Sequence, residues 1–147
     1  MKVALDTNIL VYAEGIDDKS REAIATEVTS ILPEDMTFLS AGVLAELFNV
    51  LVRRGRTRED AASAARAWEQ TFSIVPTTQS LVLTAIDLAV RHRFKIWDAL
   101  ILAAAAEAGC GLLISEDFQD GFVWNGVTVA NPFKSPLHPL LASVLRR

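Results

Sequence analysis

Lys2-Val3-Ala4-Leu5-Asp6-Thr7-Asn8 is a short apolar run that ends in polar residues, and it predicts a strand followed by a turn or a helix cap. Short apolar runs then alternate with helix-length periodic stretches along the whole chain. The predicted strands are residues 2–5, 37–39, 73–75, 112–115 and 126–129. The predicted helices are residues 20–32, 43–54, 57–72, 80–92 and 97–108. This order indicates an α/β domain with a mostly parallel sheet. In such sheets ligands bind beyond the carboxyl ends of the strands, where Asp6 and Asp117 stand.

The bulk composition is that of one folded domain. The chain has 147 residues, of which 51% are hydrophobic, enough to close a single core and to exclude disorder. No apolar run reaches the roughly 18 residues of a membrane span, and Asp6 interrupts the segment where a signal peptide would be apolar. Cys110 is the only cysteine, so no internal disulfide can form. These features predict a soluble cytoplasmic protein that has no contact with a membrane.

Two acids occupy positions where folding alone does not demand a carboxylate. Asp6 ends the first predicted strand, although a helix cap explains it equally well. Glu46 lies in a helical stretch with Asn49 and Arg53 on the same face, so a solvated stripe is the competing explanation.

Asp98 is the more informative acid, because its helical neighbours Ile101, Leu102 and Ala105 are all apolar. Its place early in a helix also suits the helix dipole. A carboxylate on an inward face nevertheless needs a partner, since burying it unpaired is costly. Such a partner can be a metal ion.

Asp117 and Asp120 follow the fourth predicted strand in a polar stretch that ends at Gly121. A polar turn is the ordinary explanation, and the sequence leaves open which acid points inward.

Carboxylates from separate elements that meet at one edge of a sheet suit phosphodiester hydrolysis. Mg²⁺ and Mn²⁺ prefer carboxylate and water oxygens, and such ions activate water and orient a phosphate. The net charge of −4 argues against a passive nucleic-acid binder but not against an enzyme with an acidic metal pocket. The two histidines, His92 and His138, lack zinc-site spacing with Cys110.

Four motifs in order resemble PIN-domain nucleases, and most of all the VapC-like ribonucleases, which are the toxin branch of bacterial toxin–antitoxin pairs. They are Leu5-Asp6-Thr7-Asn8-Ile9-Leu10, the helix with Glu46, Trp97-Asp98-Ala99-Leu100-Ile101, and Leu113-Ile114-Ser115-Glu116-Asp117. The resemblance covers residues 1–133, which we take as the nuclease domain, and it does not extend to the tail 134–147.

The resemblance implies a three-layer α/β/α sandwich and an endoribonuclease dependent on Mg²⁺ or Mn²⁺. It implies that Asp6, Glu46 and Asp98 are the core catalytic acids and that Asp117 is the fourth, with Asp120 as its rival or partner in metal binding. Thr7, Asn8 and Ser115 match the supporting polar positions. It also implies a homodimer that is inhibited by a small antitoxin. The alternative is a PIN-like binding or dimerisation module that has lost catalysis.

Two groups of basic residues stand near these acids in the sequence. They are Arg53, Arg54 and Arg56 after the Glu46 helix, and Arg91, Arg93 and Lys95 before Asp98. Either group can hold RNA phosphates, or it can simply complement a helix dipole. In the tail, Leu137, Leu140, Leu141 and Leu145 suggest an amphipathic helix or, equally, a partly ordered terminus.

Overall fold

A six-stranded sheet forms the centre of the protein, which we describe from a computed structural model covering residues 1–146. The strands lie in the order β3-β2-β1-β4-β6-β5, and all neighbours are parallel except β5 and β6. Their bounds are Val3–Leu5 (β1), Thr37–Ser40 (β2), Ser73–Val75 (β3), Leu112–Ile114 (β4), Val123–Trp124 (β5) and Val127–Ala130 (β6). The mostly parallel sheet predicted from the sequence is therefore confirmed.

Two helical layers enclose this sheet and complete the predicted three-layer α/β/α sandwich. The helices are Thr7–Ala13 (α1), Lys19–Ile31 (α2), Ala41–Arg53 (α3), Arg58–Thr71 (α4), Gln79–His92 (α5), Ile96–Glu107 (α6) and Pro139–Leu145 (α7). In one layer α1 packs on α2 and α3, and α3 packs on α4. In the other, α5 packs on α6, which contacts β2, β4 and β6. Within residues 1–146, none of these helices has the length and apolar character to span a membrane.

Local chemistry explains where the predicted helices begin and end. The Thr57 hydroxyl accepts a hydrogen bond from the Asp60 amide at 3.1 Å and so caps α4. The Ser40 side chain caps α3 by accepting from the Gly42 amide, so this helix starts two residues earlier than expected. After α3, Gly55 adopts a φ of +106°, which only glycine tolerates easily.

Helix α1 and strand β5 were not among the predicted helices and strands, although a helix capped by Asp6 was one of the two explanations of that residue. Helix α1 has seven residues and buries Ile9 and Leu10. Strand β5 pairs with β6 across Asn125 and Gly126, which both have positive φ. The last strand therefore begins at Val127 rather than at Gly126, because Gly126 belongs to the turn.

The tail carries a short helix, α7, that packs against β4. Its Leu141 is fully buried, whereas Leu140 and Leu145 are half-buried against the same core. The amphipathic helix on the domain is thus the form that residues 139–145 adopt.

Strand order determines where functional side chains can meet. The chain leaves β1 toward β2 on one side, whereas β4 lies on the other. The carboxyl ends of β1 and β4 therefore flank a topological switch point, where ligands of open α/β sheets bind. Asp6 follows β1 directly, and Ser115 follows β4 directly.

Candidate active site

Asp6 is held rigidly at the switch point by three hydrogen bonds. Its Oδ1 accepts from the Thr7 amide at 2.6 Å, and its Oδ2 accepts from the Ser115 hydroxyl at 2.6 Å and from the Asn8 side-chain amide at 3.4 Å. The side chain caps α1 and is only 2% exposed. The helix cap that the sequence offered as one explanation of Asp6 is therefore present.

Three carboxylates from different elements converge here: Asp6 after β1, Asp98 in the first turn of α6, and Asp117 after β4. One oxygen from each lies within 4.8 Å of the others. Asp6 is buried, Asp98 half-buried and Asp117 exposed, so the cluster opens to solvent on the Asp117 side. We call these three residues the carboxylate cluster.

Two members of the carboxylate cluster have raised pKa values, chiefly because their side chains are buried. Burial raises the pKa of Asp6 from 3.8 to about 7; the Ser115 and Thr7 hydrogen bonds oppose this rise, while the Asp117 and Asp98 charges add to it. Burial raises the pKa of Asp98 to about 6, with help from the Asp117 charge, while Lys95 acts in the opposite direction. A divalent cation among these oxygens would remove the repulsion.

Glu46 lies at the edge of the carboxylate cluster. Its Oε2 accepts a hydrogen bond from the Thr7 hydroxyl at 3.1 Å, and its charge contributes to the raised pKa of Asp98. It is exposed on α3, and it lines a small cleft together with Thr7, Asn8 and Asp117. The buried Oδ1 of Asn8 has no hydrogen-bond partner within residues 1–146.

The structure brings Asp117 into the carboxylate cluster and leaves Asp120 outside it. Ser115 accepts a hydrogen bond from the Asp117 amide at 3.0 Å, which turns this residue toward Asp6. Asp120 instead accepts from the Asn131 amide at 2.8 Å and ties the loop to the end of β6. The expectation that Asp120 is a metal ligand thus finds no support in its placement, because its carboxylate anchors backbone.

Two of the predicted RNA-binding arginines have carboxylate partners inside the protein. Arg54 forms a two-pronged ion pair with Asp17. Arg56 donates to the Glu14 carboxylate at 2.6 Å and also to its backbone carbonyl. The second oxygen of the same carboxylate accepts from the Trp68 indole at 2.8 Å. These contacts tie the end of α1 to α3 and α4, which gives both arginines a structural role.

The other predicted basic residues remain available at the surface. Arg53, Arg91, Arg93 and Lys95 are exposed and form no ion pair within residues 1–146. Lys95 is the residue that precedes α6, close enough to Asp98 to affect its pKa.

Sequence reasoning missed a second set of residues behind the carboxylate cluster. The Tyr12 hydroxyl donates to Glu116 at 2.6 Å, and the Arg21 guanidinium lies 3.3 Å from the other oxygen of that carboxylate. The Arg21 guanidinium carbon also lies 5.6 Å from the centroid of the Tyr12 ring and 5.3 Å from that of the Phe133 ring, in cation–π range of both. These contacts hold the side chain of Glu116, whose neighbours in the chain are Ser115 and Asp117. Tyr12 lies four residues after Asn8, so a helix drawn from Asn8 would have placed the two side chains on the same face.

Comparison with known proteins identifies the family of the chain. The family model described as "PIN domain" matches residues 3–119. Ribonuclease VapC7 of Mycobacterium tuberculosis is 31% identical over 121 residues, which cover 78% of this chain and 81% of that protein.

Solved structures show the same fold. VapC20 of Mycobacterium tuberculosis, described as a sarcin–ricin loop cleaving toxin, is 24% identical with a TM-score of 0.70, and the match covers 84% of this chain and 98% of that one. A toxin–antitoxin complex from Klebsiella pneumoniae is 21% identical with a TM-score of 0.69, covering 90% and 99%. With the family model matching more than half of the chain, the protein belongs to the PIN domain family, and its curated relative is a VapC ribonuclease.

Proposed function

We propose that this protein is a divalent-metal-dependent endoribonuclease that acts in the cytoplasm as the toxin of a toxin–antitoxin pair. The observation that carries the proposal is the carboxylate cluster, whose three ligand oxygens lie within 4.8 Å of one another at the switch point of the sheet. The ribonuclease relative supports RNA as the substrate.

The residues present fit a hard divalent cation, Mg²⁺ or Mn²⁺. The donor set consists of carboxylate oxygens only, which such ions prefer. The raised pKa values of Asp6 and Asp98 reflect burial together with repulsion between the carboxylates, and a cation offsets that cost. We assign Asp6, Asp98 and Asp117 as ligands, with Glu46 at the outer edge of the same site.

When bound, the cation supplies Lewis acidity toward the scissile phosphate and makes a water molecule more acidic. The protein's own part is to hold the ligands in place. Ser115 orients both Asp6 and Asp117, Thr7 orients Glu46, and the Tyr12–Glu116 contact supports the loop that carries Asp117. Such supporting hydrogen bonds fix ligand geometry and tune metal affinity.

The proposed partners are a small antitoxin and a second copy of the chain. The support for an antitoxin is that the Klebsiella pneumoniae neighbour is a toxin–antitoxin complex. For RNA phosphates, the exposed Arg53, Arg91, Arg93 and Lys95 are better placed than Arg54 and Arg56, whose guanidinium groups are already paired.

The test is cleavage of a labelled mixed RNA pool by purified protein in Mg²⁺, in Mn²⁺ and in EDTA. Asp98→Asn removes one cluster carboxylate with little change in shape, and Asp87→Asn is the matched control on the exposed face of α5. We expect metal-dependent cleavage by the wild type and by the control, and none by Asp98→Asn. Folded, inhibitor-free wild-type protein that cuts no RNA in either metal would refute the proposal and favour the binding module.

A further inference from the structure

A cavity of about 490 Å³ lies next to the small cleft described above and shares Glu46 with it. Helices α3 and α6 form its walls, and it opens beyond the carboxyl ends of β2 and β3, where Ser40 and Thr77 line it. Because β2 is the neighbour of β1, the cavity and the cluster are adjacent along one edge of the sheet. Its volume falls within the range of pockets that hold small ligands.

Trp97 provides an aromatic surface in this cavity. It is 67% exposed, directly precedes Asp98 in α6, and stands beside the apolar side chains of Leu100 and Ile101. Leu83, Ile86 and Val90 on α5 are also exposed, but they are aliphatic and none of them lines this cavity. Exposed aromatic rings that border a nucleic-acid channel typically stack on bases.

Helix α3 contributes polar and charged side chains of both signs to the cavity, Glu46, Asn49 and Arg53. Asn49 and Arg53 lie three and seven residues after Glu46, so α3 presents all three on one face. The Asn49 amide offers both a donor and two acceptor positions, which is what the edge of a base requires. Arg53 carries a positive charge with no ion pair within residues 1–146, in contrast to Arg54 and Arg56.

We infer that this cavity binds one unpaired nucleotide of the RNA next to the scissile phosphate, with its base stacked on Trp97, its base edge facing Asn49 and its phosphate near Arg53. The inference rests on the proposed ribonuclease function and extends it to the substrate: a single-stranded segment or loop. A nucleotide suits the cavity better than an apolar protein helix, because aromatic, amide and guanidinium groups line it together and it adjoins the reaction centre.

The experiment is RNA binding in EDTA, which stops metal-dependent cleavage, using a short single-stranded oligonucleotide and a set of copies that each lack one base. The protein variants are Trp97→Ala, Trp97→Phe and Leu83→Ala. Leu83 is an exposed apolar residue on α5 outside the cavity and serves as the matched control.

We expect Trp97→Ala to weaken binding about 5- to 100-fold, the range that loss of one stacked base produces. Trp97→Phe should lose much less, and Leu83→Ala nothing. Removing the base at one position of the RNA should weaken its binding to the wild-type protein by a similar factor. The same change in the RNA should have no effect on binding to Trp97→Ala, because the missing base is the one that contacts the Trp97 ring.

Equal affinities for the wild type and Trp97→Ala would overturn the inference, whether or not the protein cuts RNA. A Trp97→Ala variant that turns a dimer into a monomer while each copy still binds RNA normally would also overturn it and make the cavity a subunit interface. If Trp97→Ala loses binding as expected but the wild type cuts no RNA in Mg²⁺ or Mn²⁺, the proposed function fails and the nucleotide cavity stands.

Discussion

Replacing Asp6 by asparagine should stabilise the metal-free protein at neutral and higher pH. The Asp6 side chain is 2% exposed, and its pKa is raised from 3.8 to about 7. At about 1.4 kcal/mol per pH unit, this rise corresponds to a cost of about 4 kcal/mol for holding the charged carboxylate in the folded state. Such a cost is a large part of the roughly 5–15 kcal/mol by which most domains are stable.

The pH window follows from the direction of the pKa change. Below about pH 4, Asp6 is protonated in both the folded and the unfolded protein, so the cost is absent. Between pH 4 and pH 7 the folded state binds more protons than the unfolded state, and the free energy of unfolding falls as pH rises. Above pH 7 the full cost applies. An asparagine side chain cannot ionise, so the Asp6→Asn variant lacks this part of the pH dependence.

The assay is urea unfolding in EDTA from pH 4 to pH 8, with Asp87→Asn as an exposed control. Asp6→Asn should match the wild type near pH 4 and exceed it by up to about 4 kcal/mol at pH 8. Saturating Mn²⁺ should reduce or reverse this difference in the free energy of unfolding, because it stabilises the wild type, which binds it. At a Mn²⁺ concentration of a hundred times the dissociation constant the stabilisation is about 2.7 kcal/mol, and it is larger at higher concentration. Parallel pH curves for the wild type and Asp6→Asn would show that ionising Asp6 does not destabilise the folded protein.

Three further predictions concern the metal site and the packing of α7. Ser115→Ala removes the hydrogen bonds that orient Asp6 and Asp117, so calorimetry should show Mn²⁺ binding about 10- to 100-fold weaker; unchanged affinity would contradict that role. Mn²⁺ affinity of the wild type should rise from pH 5.5 to pH 7.5, because Asp98 and Asp6 lose their protons near pH 6 and pH 7; a flat profile would count against these ligands. Leu141→Ala should lower the free energy of unfolding by about 2–5 kcal/mol in urea, and a loss below about 1 kcal/mol would mean that α7 contributes little to the core.

The parallel sheet and the meeting of Asp6 with Asp117 were predictable, because apolar runs reveal buried strands and parallel strands end at one edge. Helix α1 was harder to predict. Its Thr7, Asn8 and Ile9 are poor helix formers, and the helix depends on the Asp6 cap and on the burial of Ile9 and Leu10. For β5, the Asn125-Gly126 pair was the hairpin signal that could have revealed it.

Ion pairs and hydrogen bonds between residues far apart in the sequence decide which arginines are paired and which of Asp117 and Asp120 joins the carboxylate cluster. Arg53, Arg54 and Arg56 look alike in the sequence, yet Arg54 pairs with a residue 37 positions away and Arg56 with one 42 positions away. The choice between Asp117 and Asp120 likewise depends on the Ser115 hydroxyl and the Asn131 amide, which fix the path of the loop. Neither set of contacts produces a periodic pattern in the sequence from which it could be predicted.

Anomalous diffraction at the manganese edge, from crystals soaked in Mn²⁺, would locate the metal site directly. We expect a peak bound by one carboxylate oxygen each from Asp6, Asp98 and Asp117, and no such peak in Asp98→Asn crystals treated in the same way. A peak elsewhere, or none at Mn²⁺ concentrations that support RNA cleavage, would contradict the claim that the carboxylate cluster is the metal centre.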